Sequence, residues 1–203
     1  GSQLVCSFSH HTAAARATSA EFLVNANESL AEASSFFREA STIIITLGTA
    51  WTFRFNATGE IVSNCLKRDA KEFTRERLSL KTCSVLLNSL VGKYPQKRFI
   101  FTVSPIRHLK DGAHGNQISK STLLMAVESV VENHPDQCGY FPAYEIMMDE
   151  LRDYRFYAED MVHPSQQAVN YIWERFCDFA LPETERATLE KNRKEFLQSQ
   201  HRI

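Results

Sequence analysis

Asp160-Met161-Val162-His163-Pro164 is the segment of this sequence best suited to chemistry. A carboxylate three residues before a histidine, in a loop, can bend back and accept one ring N–H. That bond fixes the tautomer and stabilises the imidazolium formed when the other nitrogen takes a proton. His163 would then be a general base and Asp160 its orienter. Pro164 would occupy the first position of the following helix and stiffen the junction. Because D-x-x-H is a common spacing, a helix-capping aspartate beside a solvated histidine is the plain alternative.

A second cluster of polar groups runs from Ser104 to Asn116, where Arg107, His108, His114 and Asn116 share what reads as one loop. Donors of this kind suit substrate orientation. The alternative is that Arg107 pairs with a carboxylate and His114 is solvated. Ser104 ends an apolar run, but no glycines surround it as they do in a nucleophile elbow. His108, His114 and His163 are of a type that binds zinc, yet their spacing gives a metal site no support. His10 and His11 are adjacent, so their side chains point apart. Tyr144, Tyr154 and Tyr157 with Arg152 and Arg155 have the make-up of a nucleic-acid platform, but interleaved Glu145, Asp149, Glu150, Asp153 and Glu159 cancel the field such a surface needs.

Bulk composition narrows the partners. Lys plus Arg number 23 and Asp plus Glu 24, so the net charge of -1 draws the chain neither to nucleic acid nor to a membrane surface. No apolar run approaches the roughly 20 residues of a membrane span. The five cysteines are odd in number and nowhere form a CxxC pair, which argues against a zinc ribbon or a disulfide framework. Reduced thiols of this kind point to the cytoplasm. Nothing in the pattern requires a cofactor or a metal. With 43% hydrophobic residues the chain can bury a core, and its length suits one domain over residues 1–180 followed by a charged helical tail over 181–203.

The elements that would position these groups alternate in type. Phe22, Leu23, Ala26, Leu30, Ala33 and Phe37 recur on one face of a helix from Ser19 to Ala40. Thr42 to Leu47 is a β-branched run, closed by Gly48, that reads as a strand buried on both sides of a parallel sheet. Trp51–Phe55 and Ile61–Ser63 flank Asn56-Ala57-Thr58-Gly59, which predicts a hairpin outside that sheet. Ser79 should cap a helix running to about Gly92. Arg98 to Val103 should be the next strand, and Ile118 to Val131 the next helix. Tyr140 to Glu145 reads as a shorter strand despite Pro142, Ile146 to Leu151 as a brief helix, and the segment after Pro164 as the last core helix. This repetition predicts an α/β fold with helices on both faces of a parallel sheet, whose functional loops follow the strand C-termini.

Three segments carry a family resemblance: Ile43–Trp51 (IIITLGTAW), Phe101–Gln117 (FTVSPIRHLKDGAHGNQ) and Tyr140–Pro164 (YFPAYEIMMDELRDYRFYAEDMVHP). Together they resemble the GSCFA family, a branch of the SGNH, or GDSL-like, hydrolase superfamily, over roughly Ser7 to Phe176. The resemblance implies a flavodoxin-like three-layer sandwich and esterase or acyltransferase chemistry with a Ser-His-Asp apparatus whose final motif is Asp160 and His163. It implies small acyl esters as substrates, and superfamily analogy extends this to acetylated glycans. In that family the serine lies just after the first strand, within a Gly-Ser-Cys-Phe-Ala stretch, and these 203 residues contain none. The expectation is therefore a domain entered part-way, without its first strand, in which Ser7 or Ser9 could substitute only if the fold brought it to the site. An inactive ligand-binding module of the same fold is the rival expectation. The superfamily's Gly-x-Asn oxyanion motif is replaced by Gly48-Thr49-Ala50, leaving the Gly48 or Thr49 N–H, Asn64 or Asn116 as candidate donors. Arg107, His108 and Asn116 would line the substrate cleft.

Overall fold

The computed structural model describes residues 4–200. A Thr18–Glu21 capping box opens α1 (Ser19–Glu39), each side chain bonded to the other residue's backbone N–H, which satisfies two of the four donors a helix start leaves free. Its apolar stripe is largely uncovered: Phe22 is its single buried residue, and Leu23, Leu30 and Phe36 are exposed. Lys97 ties the far end of α1 to the body of the fold, donating to the carbonyls of Arg38 (3.2 Å) and Ala40 (2.6 Å).

Then come β1 (Thr42–Leu47), β2 (Trp51–Phe55), β3 (Ile61–Val62) and β4 (Phe73–Arg77). β2 and β3 form the expected hairpin, and β4 joins it antiparallel along the full length of β2, from Trp51 against Arg77 to Phe55 against Phe73. The charged residues of β4 hide it from an apolar-pattern reading, since Phe73 is its one buried residue and the half-buried positions are Arg75 and Glu76.

Ser79 caps α2 (Leu80–Lys93) through the Thr82 N–H. Next are β5 (Arg98–Val103), α3 (Gly112–Asn133) and β6 (Cys138–Phe141). β1 pairs parallel with β5, Thr42 opposite Arg98, and β5 pairs parallel with β6. Phe99, Phe101 and Val103 face α2 and α3, the two phenylalanines packing with Val91, Val127 and Val130, and Val103 with Cys83, Leu123 and Ala126. Each fully buried side chain of this size contributes about 1.5–3 kcal/mol relative to exposure. Ile100 and Phe141 face the other way, into a cluster with Ile146, Met147, Leu151 and Ala168. That second cluster is built by a short α4 (Ala143–Glu145) running into a π-helical turn over Ile146–Glu150, and by α5 (Gln166–Ala180). α6 (Glu183–Gln200) follows and is tied to α5 by Arg186 on Asp178 at 2.6 Å.

The result is a mixed α/β fold, a parallel sheet in the order β1-β5-β6 between two helical layers, consistent with a flavodoxin-like sandwich. Several local expectations shift. β1 alternates exposed and half-buried instead of being covered on both faces, because α5 and the π turn lie over β5 and β6 but leave Thr42, Ile44 and Thr46 outside. α3 starts six residues early, absorbing Gly112 to Gln117 into its first turns. β6 ends at Phe141, where Pro142 has no N–H to give the ladder. Pro164 stands outside α5, and Ser165 caps it by accepting from the Ala168 N–H. No helix among the described residues is long and apolar enough to cross a membrane.

Candidate active site

Three loops at the C-terminal edge of the parallel sheet carry the candidate residues. After β1, the Gly48–Ala50 turn is held from beneath by α3. Ser119 accepts the Ala50 N–H at 2.8 Å and lies 3.0 Å from the Thr49 hydroxyl, which in turn accepts the Trp51 N–H at 3.2 Å. Lys120 donates to the carbonyls of Gly48 and Ser104, both at 2.6 Å. Ser119 and Lys120 are both fully buried, and sequence reading passes over them as interior residues of a helix. Their signal was present in the periodicity: they precede Leu123, Ala126 and Val127 on the helix's buried face, so two polar residues there should have been read as partners for something.

After β5, Ser104 Oγ accepts the Ile106 N–H at 3.3 Å, a local turn bond. His108 donates its backbone N–H to Asn116 Oδ1 at 3.0 Å, which fastens the loop to the first turns of α3. The space opposite Gly48 is taken by His108, whose Nε2 would lie 3.9 Å from a β-carbon there. Arg107 stacks over the Tyr157 ring at 4.4 Å and donates to the Tyr157 hydroxyl at 2.9 Å. Arg107, His108, Asn116, Gln117, Tyr144 and Met148 line a cleft of about 420 Å³. Tyr144 donates to Gln117 at 2.6 Å, and burial pushes its hydroxyl pKa up, so it stays a proton donor. The loop's far end is anchored by Asp111, whose carboxylate is fully buried and paired with Arg75 of β4. Arg75 also stacks on Trp51 at 4.2 Å. The small antiparallel sheet thus braces the cleft.

The third loop carries Asp160 and His163. Asp160 Oδ2 lies 2.6 Å from His163 Nδ1, while Oδ1 accepts the backbone N–H groups of Val162 (2.9 Å) and His163 (3.0 Å). Met161, at φ 58, makes the left-handed turn that lets one carboxylate reach all three donors. Those donors, led by the His163 backbone N–H, then its ring, then Val162, hold the Asp160 pKa down at about 2. Facing a carboxylate, Nδ1 is the nitrogen that carries the proton in the neutral ring, and in that tautomer Nε2 presents a lone pair. Asp160 does not act as the helix cap of the alternative, a place Ser165 takes for α5; its carboxylate turns the loop and orients the ring at once. Both side chains are open to solvent, His163 at 58% and Asp160 at 50%.

These loops are joined through Tyr157. It forms an antiparallel bridge with Pro164, Ala158 N–H donates to the His163 carbonyl at 2.8 Å, and Arg107 reaches across from the cleft to the Tyr157 ring and hydroxyl. Asp160 and His163 are therefore brought together, as are Arg107, His108 and Asn116, with Gly48 against His108. Among the described residues no hydrogen bond or ion pair joins His163 to the cleft residues, and His163 is not part of the cleft lining. Asn64 spends Oδ1 on the Leu66 N–H at 2.7 Å. Ser7 and Ser9 flank Phe8, which packs on Phe55 and Phe73 of the antiparallel sheet, and neither hydroxyl bonds to His163. Among the described residues no three His, Cys, Asp or Glu side chains gather as metal ligands.

A sequence model of the GSCFA family matches residues 2–176. No curated protein and no solved structure matches the chain.

Proposed function

Since this chain belongs to the GSCFA family, we propose that it carries the acid-base half of a carboxylic-ester hydrolase or acyltransferase site of the SGNH type. The observation that carries the reading is the Asp160–His163 pair, with its 2.6 Å contact and its free Nε2. In this reading Nε2 takes a proton from the attacking hydroxyl, and Asp160 stabilises the imidazolium that forms. Thr49 N–H supports the negative oxygen of the tetrahedral intermediate, with Gly48 giving the close backbone approach. Arg107, His108 and Asn116 hold the substrate in the cleft, whose size suits a small acyl ester or an acetylated sugar unit. No serine of the chain is identified as the nucleophile, and Nε2 can also activate water directly as a general base.

Hydrolysis of p-nitrophenyl acetate tests the reading. His163→Ala should lower kcat/KM by roughly 10²-fold or more, and an unchanged rate would refute it. A binding module of the same fold is the second reading, favoured by one observation: no hydroxyl among the described residues reaches His163 Nε2. Calorimetric binding of an acetylated glycan without any turnover would select it.

A further inference from the structure

Lys120 occupies a costly place for a cation. It is fully buried, and burial pulls its pKa from 10.5 down to about 8. An apolar side chain of similar length would fill the space, as buried ions can often be replaced without loss of stability. Such a side chain could not donate. Both Lys120 bonds go to backbone carbonyls, Gly48 and Ser104, the residues that immediately follow the neighbouring strands β1 and β5.

A peptide group is planar and trans, so its N–H points opposite to its C=O. With the Gly48 carbonyl drawn down onto the buried ammonium, the Thr49 N–H is turned the other way. That N–H has no acceptor among the described residues. The next two N–H groups are already used, Ala50 on Ser119 and Trp51 on the Thr49 hydroxyl. Thr49 is thus the one donor of the three left for a ligand, and a positive charge on the far side of its peptide polarises it toward an anion.

We infer that Lys120 is the positioning residue of the oxyanion site, fixing through the Gly48 carbonyl the peptide whose Thr49 N–H receives the negative oxygen of the acyl intermediate. The inference rests on the hydrolase reading. Ser119 acts with it by tying down the residue that follows.

The test is an amide NMR titration of the ¹⁵N-labelled protein with methylphosphonate, a tetrahedral oxyanion. In the wild type the Thr49 N–H should move downfield and the His163 ring signals should respond. In Lys120→Met the limiting downfield shift of the Thr49 N–H at saturation should fall severalfold while the limiting His163 response is kept, a split that general loosening of the fold would not produce. A Thr49 response unchanged in Lys120→Met overturns the inference. A His163 response without one at Thr49 in the wild type also overturns it and leaves the hydrolase reading standing, whereas silence at both removes the two together. Should Lys120→Met not fold, the wild type carries the test. Couplings across the hydrogen bonds from Nζ to the carbonyl carbons of Gly48 and Ser104 are expected, and their absence at Gly48 overturns the inference.

Discussion

Measured against a variant that lacks the buried amine, this protein should gain stability under alkaline conditions by an amount that one residue accounts for. Unfolded, Lys120 keeps its proton up to pH 10.5; folded, it gives the proton up at about 8. Between those values the unfolded chain binds more protons than the native one, so unfolding becomes less favourable as the pH rises. At 1.36 kcal/mol for each pH unit, the gap is worth about 3 kcal/mol. Lys120→Met has no such proton. Near neutrality it recovers that desolvation cost but leaves the Gly48 and Ser104 carbonyls without their donor, at about 1–3 kcal/mol each, so the two effects largely cancel. Urea unfolding followed by circular dichroism, from about pH 7 to about pH 10.5, should show the wild type gaining about 3 kcal/mol on the variant. Tyrosines and cysteines common to both proteins drop out of the difference. A difference that stays flat with pH would refute the reasoning, because it would mean the buried amine titrates alike in both states.

Two further outcomes follow from the geometry. Asp160→Asn should leave the fold intact but lower kcat for ester hydrolysis by up to about 10⁴-fold, since an amide cannot hold the same ring tautomer or stabilise its cation; steady-state kinetics beside a circular dichroism spectrum checks both halves. Arg75→Ala should destabilise by about 3–5 kcal/mol, because it leaves the fully buried Asp111 carboxylate without its counter-ion, and chemical denaturation reads this directly.

What could be read from the sequence was whatever local chemistry decides. The strands at Thr42 and Arg98, the Ser79 cap and the hairpin over Asn56–Gly59 all follow from short-range patterns. The Asp160–His163 pair was legible for the same reason, both partners lying in one turn. β4 was hidden because one of its inward positions is Arg75, which is covered by Trp51 and Asp111, contacts that lie far away along the chain. Ser119 and Lys120 were missed because their role is defined by the ends of β1 and β5, which only the packed sheet brings over α3. The start of α3 was misplaced since glycines at 112 and 115 weaken helical propensity, while the Asn116 bond to His108 fixes that turn from outside.

β1 is one of the two terminal strands of the parallel sheet among the described residues, with Ile44 more than half exposed on its uncovered face. Its outer row of amides and carbonyls is a template for any extended peptide that arrives in register, and its β-branched composition favours such adhesion. Lysine at position 44 would act as a gatekeeper there, at little cost to a core that lies on the opposite side.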